Sequence, residues 1–268
     1  MTDHQSWGPV DVHEDDRPWG PVEEQMAEAL ASDPTDIAGV VTTLLRIQRA
    51  LDNLPPLYHD NPVADFNALY TTITAKILAE HRTGGFADPA FLTLLDVEFG
   101  RRYFDALRAW GDRSAATPHT WAVLLDRCRD TRLRSLPCAV AGVNAHINYD
   151  LPFALLNTWR QLGPATSGSP QHRDYLRINN VFYEAIPGLR RGYLERWQLY
   201  VDRLNGTFDD WYQNTLVELT RDLAWDHAQE LWRHHEDPSR IEQQRQQLDR
   251  QAARIGRVLL SPFSSLLQ

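Results

Sequence analysis

Apolar residues along this 268-residue chain recur at intervals of three and four, the period of helices that bury one face. From Asp36 to about Leu54 the stripe is Ile37, Val40, Val41, Leu44, Leu45, Ile47 and Leu51. Punctuation marks further helices. A capping residue followed by proline opens segments at Asn61-Pro62, Asp88-Pro89 and Thr117-Pro118, which run to about Gly84, Gly111 and Asp130. Pro137 to about Leu162 is nearly uncharged and apolar on all sides, which predicts a central helix enclosed by others. A Gly-, Ser- and Pro-rich loop over 163–170 leads to helical patterns at about 171–186, 189–204, 208–236 and 239–259. The last, with a thin apolar stripe between Ile241 and Arg257, is expected to pack over the outside and to carry no chemistry. No period-two strand pattern occurs. The expectation is an all-α, single-domain bundle of about 8–10 helices around a buried, proline-kinked central helix.

Residues 1–22 fall outside this periodicity. They are acidic, contain Trp-Gly-Pro-Val twice, at Trp7 and Trp19, and read as a loose N-terminal arm before a helical domain over 23–268. The net charge of −9 opposes binding to nucleic acid or anionic membrane, and no apolar run reaches the roughly 18–20 residues of a membrane span. Two cysteines, Cys128 and Cys138, without zinc spacing and without a secretory leader, suit a reducing cytoplasm. The P-loop, Gly-x-Gly-x-x-Gly, Gly-x-Ser-x-Gly, His-Glu-x-x-His and helical Glu-x-x-His patterns are absent, so no nucleotide cofactor is expected.

Chemistry concentrates in Asn144-Ala-His-Ile-Asn-Tyr-Asp-Leu-Pro152. On a helix His146, Asp150 and Asn157 share a face with Val143, Tyr149 and Phe153, while Asn144 and Asn148 share the opposite face with Leu151 and Leu155. With polar groups on both sides and apolar neighbours throughout, the helix must find partners for them inside the protein. Pro152 cannot donate to the Asn148 carbonyl and costs roughly 3 kcal/mol in a helix interior, so a kink or break is expected there. A histidine and a carboxylate four apart can share a metal ion, can pair for proton transfer, or can simply fix the kink with a hydrogen bond. Other candidates lie elsewhere. Asp96 stands in an apolar run with Leu94, Leu95, Val97 and Phe99, Asp174 follows the Ser/Pro-rich loop, and Glu218, Asp222 and Asp226 repeat every four residues beside the stripe Leu219, Leu223 and Leu231.

The segment Ala141-Gly-Val-Asn-Ala-His-Ile-Asn-Tyr-Asp-Leu-Pro152 resembles the core pattern Ala-Gly-x-Asn-Ala-His-Ile-Asn-x-Asp-Leu-Pro of an uncharacterised bacterial family known as a domain of unknown function. The resemblance extends over roughly residues 40–235 through Phe86-Ala-Asp-Pro-Ala-Phe91, Leu95-Asp-Val97, Tyr103-Phe104, His172-Arg-Asp-Tyr175 with Asn179, and Arg221-Asp-Leu-Ala-Trp225. It implies an all-helical fold in which Asp96, Asn144, His146, Asn148, Asp150, Asp174, Asn179, Arg221, Asp222 and Trp225 gather around one pocket, and it implies no reaction.

The expected function is an enzyme of bacterial specialised metabolism acting on a small, largely apolar molecule. In a metal version His146 and Asp150 bind iron, zinc or manganese with Asp174, Asp222 or Asp96, for hydrolysis or oxygen chemistry. In a metal-free version, an isomerase or cyclase, His146 held by Asp150 moves a proton while Asn144, Asn148 or Arg221 stabilises negative charge. Tyr149, Phe153, Asn179, Trp225 and Asp96 are the expected substrate contacts in both. The alternative is a helical module that binds a ligand or protein without catalysis.

Overall fold

The punctuation read from the sequence acts through specific hydrogen bonds. In the computed structural model, which describes residues 17–54, 61–128, 130, 133, 135–181 and 210–261, Asp36 accepts from the Gly39 amide at 2.7 Å to start α2 (Ile37–Asp52). Asn61 caps α3 (Pro62–Arg82) through the Val63 amide at 2.8 Å, and Asp88 caps α4 (Pro89–Gly111) through the Phe91 amide at 3.0 Å. Both place proline in the first turn, where no amide is missed. A short α1 (Glu23–Ala29) precedes them. After α4 come α5 (His119–Leu125), α6 (Ser135–Ala145), a π-helical turn (His146–Asp150), α7 (Leu151–Leu162), α8 (170–181), α9 (Asp210–Arg233) and α10 (Pro238–Leu259). Among the described residues there is no strand, and the fold is all-α. No helix among them is long and apolar enough to cross a membrane. The helix expected over 189–204 and the end of that over 171–186 lie outside the described residues.

Two expectations are corrected. The helix after Thr117-Pro118 begins at His119 without a local side-chain cap and ends at Leu125, short of Asp130. Its cap comes from α10. Asp249 accepts from the His119 and Thr120 amides at 3.0 and 2.8 Å, and its other contact is the His119 ring at 2.8 Å. The central helix does not break at Pro152. Instead the ladder widens by one residue, with the Leu151 amide donating to the His146 carbonyl, and Pro152 then falls in the first turn of α7, where its missing amide costs little.

The rod made by α6, the π turn and α7 runs through the middle. Helices α3, α5 and α10 cover its first half, and α4 and α9 cover its second. Helix α2 packs on α3 and α4 from outside, burying Val40, Leu44, Ile47 and Leu51, whereas Leu45 of the expected stripe faces solvent. The core also takes in the end of the expected arm. Trp19 and Val22 are buried, Trp19 meets Trp110 edge to face at 4.7 Å, and the Trp19 amide donates to Glu23 at 3.0 Å. The first Trp-Gly-Pro-Val copy lies outside the described residues.

Candidate functional site

His146 sits on the π turn with its ring enclosed by aromatic side chains from three helices. Phe99 of α4 stacks on it at 3.4 Å and 9°, Tyr70 of α3 meets it edge-on at 4.6 Å, and Phe66, Trp121 and Tyr103 stand between 5.7 and 6.1 Å away. Phe66 comes this close because residue 142 is glycine. A Cβ at Gly142 would overlap the Phe66 ring. This gives a physical reason for the glycine in the central pattern.

One carboxylate sets the state of the imidazole. Asp150 Oδ2 accepts from the Trp121 indole N–H at 2.9 Å and lies 2.9 Å from His146 Nδ1. An indole nitrogen can only donate, so this oxygen serves as acceptor for both neighbours and assigns the proton of the neutral ring to Nδ1. Nε2 keeps its lone pair. It is buried and has no hydrogen-bond partner. Burial pushes His146 below its ordinary pKa; the bond to Asp150 opposes that shift and the Arg102 charge adds to it.

His146 of the π turn lines a cavity of about 40 Å³, walled also by Phe66, Tyr70 and Ile73 of α3, Leu92, Asp96 and Phe99 of α4, Ile178 of α8 and Arg221 of α9. The lining is almost wholly apolar. Asp96 is the exception closest in kind to His146. It is 6 % exposed, its Oδ2 has no partner, and burial pushes its pKa up to about 8. Arg221 is held in the wall, donating from Nε to Asn179 at 2.6 Å and from Nη2 to the Tyr175 carbonyl at 2.9 Å, with its guanidinium over the Tyr175 ring at 4.3 Å.

The cavity thus unites His146, Asp96 and Arg221, with Asp150 and Asn179 directly behind two of them. The other expected site residues point elsewhere. Asn148 donates to Asn144 at 3.0 Å and Asn144 donates to the Ala252 carbonyl at 2.8 Å, so both tie the rod to α10. Tyr149 accepts from Arg245 of α10 at 3.3 Å and packs on Phe153, over which the Arg102 guanidinium lies at 5.0 Å. Asn157 donates to Glu98 at 3.0 Å. Asp174 accepts from the Ala87 and Asp88 amides at 2.9 and 2.6 Å, bracing the approach to α4 from α8. Asp222 and Leu223 are exposed, and α9 turns Arg221, Ala224, Trp225, Ala228 and Leu231 inward instead. Trp225 packs with Trp159 and Tyr175, not on the cavity. Among the described residues no three His, Cys, Asp or Glu converge on a point that could hold a metal ion. His146, Asp150, Asp174 and Asp222 do not assemble, because Asp150 spends one oxygen behind the ring, Asp174 is bound to backbone amides and Asp222 is exposed.

Sequence reasoning overlooked Phe66, Tyr70, Phe99 and Trp121, whose helical positions look like ordinary core. The available signal was the polar handle on Tyr70 and Trp121, which demands a partner when buried.

A family model described as Family of unknown function (DUF5995) matches residues 37–262. No curated protein and no solved structure matches the chain.

Proposed function

We propose, for a chain that belongs to the DUF5995 family and takes no named reaction from it, that this protein is an enzyme performing metal-free acid–base chemistry on a small, largely apolar molecule held against His146. The observation that carries the reading is the unpartnered Nε2 of a buried neutral histidine lining an apolar cavity, with Nδ1 bound to Asp150. A lone pair in such a place is costly to leave unmet, and a substrate proton meets it. As Nε2 takes that proton, the ring becomes imidazolium, and the Nδ1–H bond to Asp150 turns into a charge-assisted one. Trp121 keeps the carboxylate in place throughout, so little reorganisation accompanies the step. The apolar walls exclude water that would otherwise compete for the base. A metal reading has less support, since Asp150 stands on the Nδ1 side of the ring and only Asp96 joins Nε2 as a carboxylate at the cavity.

The test uses deuterium. A bacterial small-molecule extract is incubated in heavy water with wild-type protein, with EDTA, and with His146→Gln shown to be folded by circular dichroism. Mass spectrometry should find a compound that gains carbon-bound deuterium with wild type, unaffected by EDTA, and not with His146→Gln. Identical spectra for wild type and variant would sink the enzyme reading, and exchange abolished by EDTA would return the metal version. Retention of a compound without exchange would leave a non-catalytic pocket.

A further inference from the structure

Besides His146 Nε2 and the Tyr70 hydroxyl, the residues lining the cavity bring a buried, unpartnered carboxyl oxygen that proton removal by His146 does not use. Asp96 Oδ2 has no hydrogen-bond partner among the described residues, and its side chain, more than nine-tenths buried, lines the same cavity from α4. An unmet buried carboxyl oxygen is as costly as an unmet ring nitrogen. The two differ in what they ask for. His146 Nε2 is an acceptor, while a carboxyl group in apolar surroundings keeps its proton and becomes an O–H donor. The remaining charged group in the wall, Arg221, has Nε and Nη2 engaged by Asn179 and the Tyr175 backbone. With the Tyr70 hydroxyl, which can donate or accept, beside them and the rest of the lining apolar apart from Arg221, one carboxyl donor and one ring acceptor describe an uncharged ligand with one oxygen to be hydrogen-bonded and one proton to be removed.

We infer that Asp96 selects the substrate class. The site takes a small, neutral carbonyl compound, with the Asp96 carboxyl donating to its oxygen and the carbon next to the carbonyl presenting a C–H to His146 Nε2. This rests on the acid–base reading of the cavity and specifies its substrate. In the step, Nε2 takes the proton, the C–H electron pair becomes a C=C bond, the carbonyl π pair moves to oxygen, and Asp96 gives its proton to that oxygen. The product is a neutral enol beside an imidazolium and a carboxylate. Return of the oxygen-bound proton to Asp96 and of the histidine proton to carbon restores both side chains, and delivery to a different carbon yields an isomer. No oxidant or co-reactant is needed.

Cyclohexanone, cyclohexane and cyclohexanecarboxylate serve as probes at pH 7, with the full-length wild type, Asp96→Leu and Asp96→Asn. Calorimetry should show cyclohexanone binding at least tenfold more tightly than either other probe to wild type. Infrared spectra should show its carbonyl band at lower frequency when bound. Asp96→Leu should bind ketone and hydrocarbon alike with the band unshifted, and Asp96→Asn, which keeps an N–H donor, should retain part of the preference. Equal binding of ketone and hydrocarbon to wild type, or an unshifted band, would overturn the role of Asp96 and leave the cavity reading standing. Tightest binding of the carboxylate would overturn it in favour of recognition by Arg221. Failure of all three probes to bind folded wild type would bring down the cavity reading itself, and Asp96 with it.

Discussion

The central rod carries two polar pairs of the same spacing, Asn144 with Asn148 and His146 with Asp150, and they have opposite fates. The asparagine pair is closed. Asn148 donates to Asn144, which donates to the Ala252 carbonyl of α10, and the chain of bonds ends on a neighbouring backbone. The histidine pair is closed on one side only. Asp150, itself held by Trp121, meets Nδ1, while Nε2 has no partner and the ring lines the cavity together with Asp96. Both pairs are buried polar clusters on one helix, so polarity and burial alone do not separate structure from chemistry. What separates them is whether the last polar atom in each chain has found a partner.

The strongest test of that contrast is Asp150→Asn. An amide that must satisfy both Trp121 and His146 favours the wrong tautomer, and proton exchange by the site should fall by roughly ten-thousandfold, as in the His–carboxylate pair of serine proteases. Circular dichroism should show the fold retained. The next effect is on stability against pH. Folded Asp96 keeps its proton up to about pH 8, whereas in the unfolded chain it releases it near 3.8. The folded state therefore holds the extra proton, and stability falls as pH rises from about 4 to about 8, at most about 1.4 kcal/mol per pH unit. Around Asp96, Tyr70 is pushed up by burial and stays neutral across this window, Arg221 stays charged, and His146, pushed down, contributes a change of the opposite sign below its ordinary value of 6.5. The difference between wild type and Asp96→Asn in chemical denaturation isolates the carboxyl, and an identical pH slope in the two would refute its protonated state.

Smaller effects probe the walls. Gly142→Ala should drive Phe66 off His146 and cost about 2 kcal/mol, seen as a Tm lower by about 4–8 °C. Asn144→Ala should cost about 1 kcal/mol, since it removes the tie to α10, yet leave exchange at the wild-type rate. Loss of exchange there without loss of structure would erase the distinction between the two pairs.

Local chemistry explains which features were legible in the sequence. Asp36, Asn61 and Asp88 cap helices through amides two or three residues away, so their role shows in a short window. The cap of α5 comes from Asp249, far along the chain, and nothing near Thr117 announces it. Pro152 marked where the rod departs from α geometry but not that one added residue in the turn would absorb the strain. Asp96 stood out as a carboxylate in an apolar run, and it does line the cavity. The orientation of Asn144, Asp174 and Asp222 depends on which helix packs opposite, and side-chain spacing alone does not contain that.

Asp249 also sets an order of events. It belongs to the last described helix, and it holds the two amides next to Trp121, whose indole in turn fixes Asp150 and hence the tautomer of His146. During synthesis the ribosome delivers α5 and the rod long before α10. Until α10 emerges and docks, the α5 start is uncapped and Trp121 is not anchored. The nascent chain can gather its aromatic cage early, but the proton-accepting face of the histidine is set only after α10 has left the tunnel.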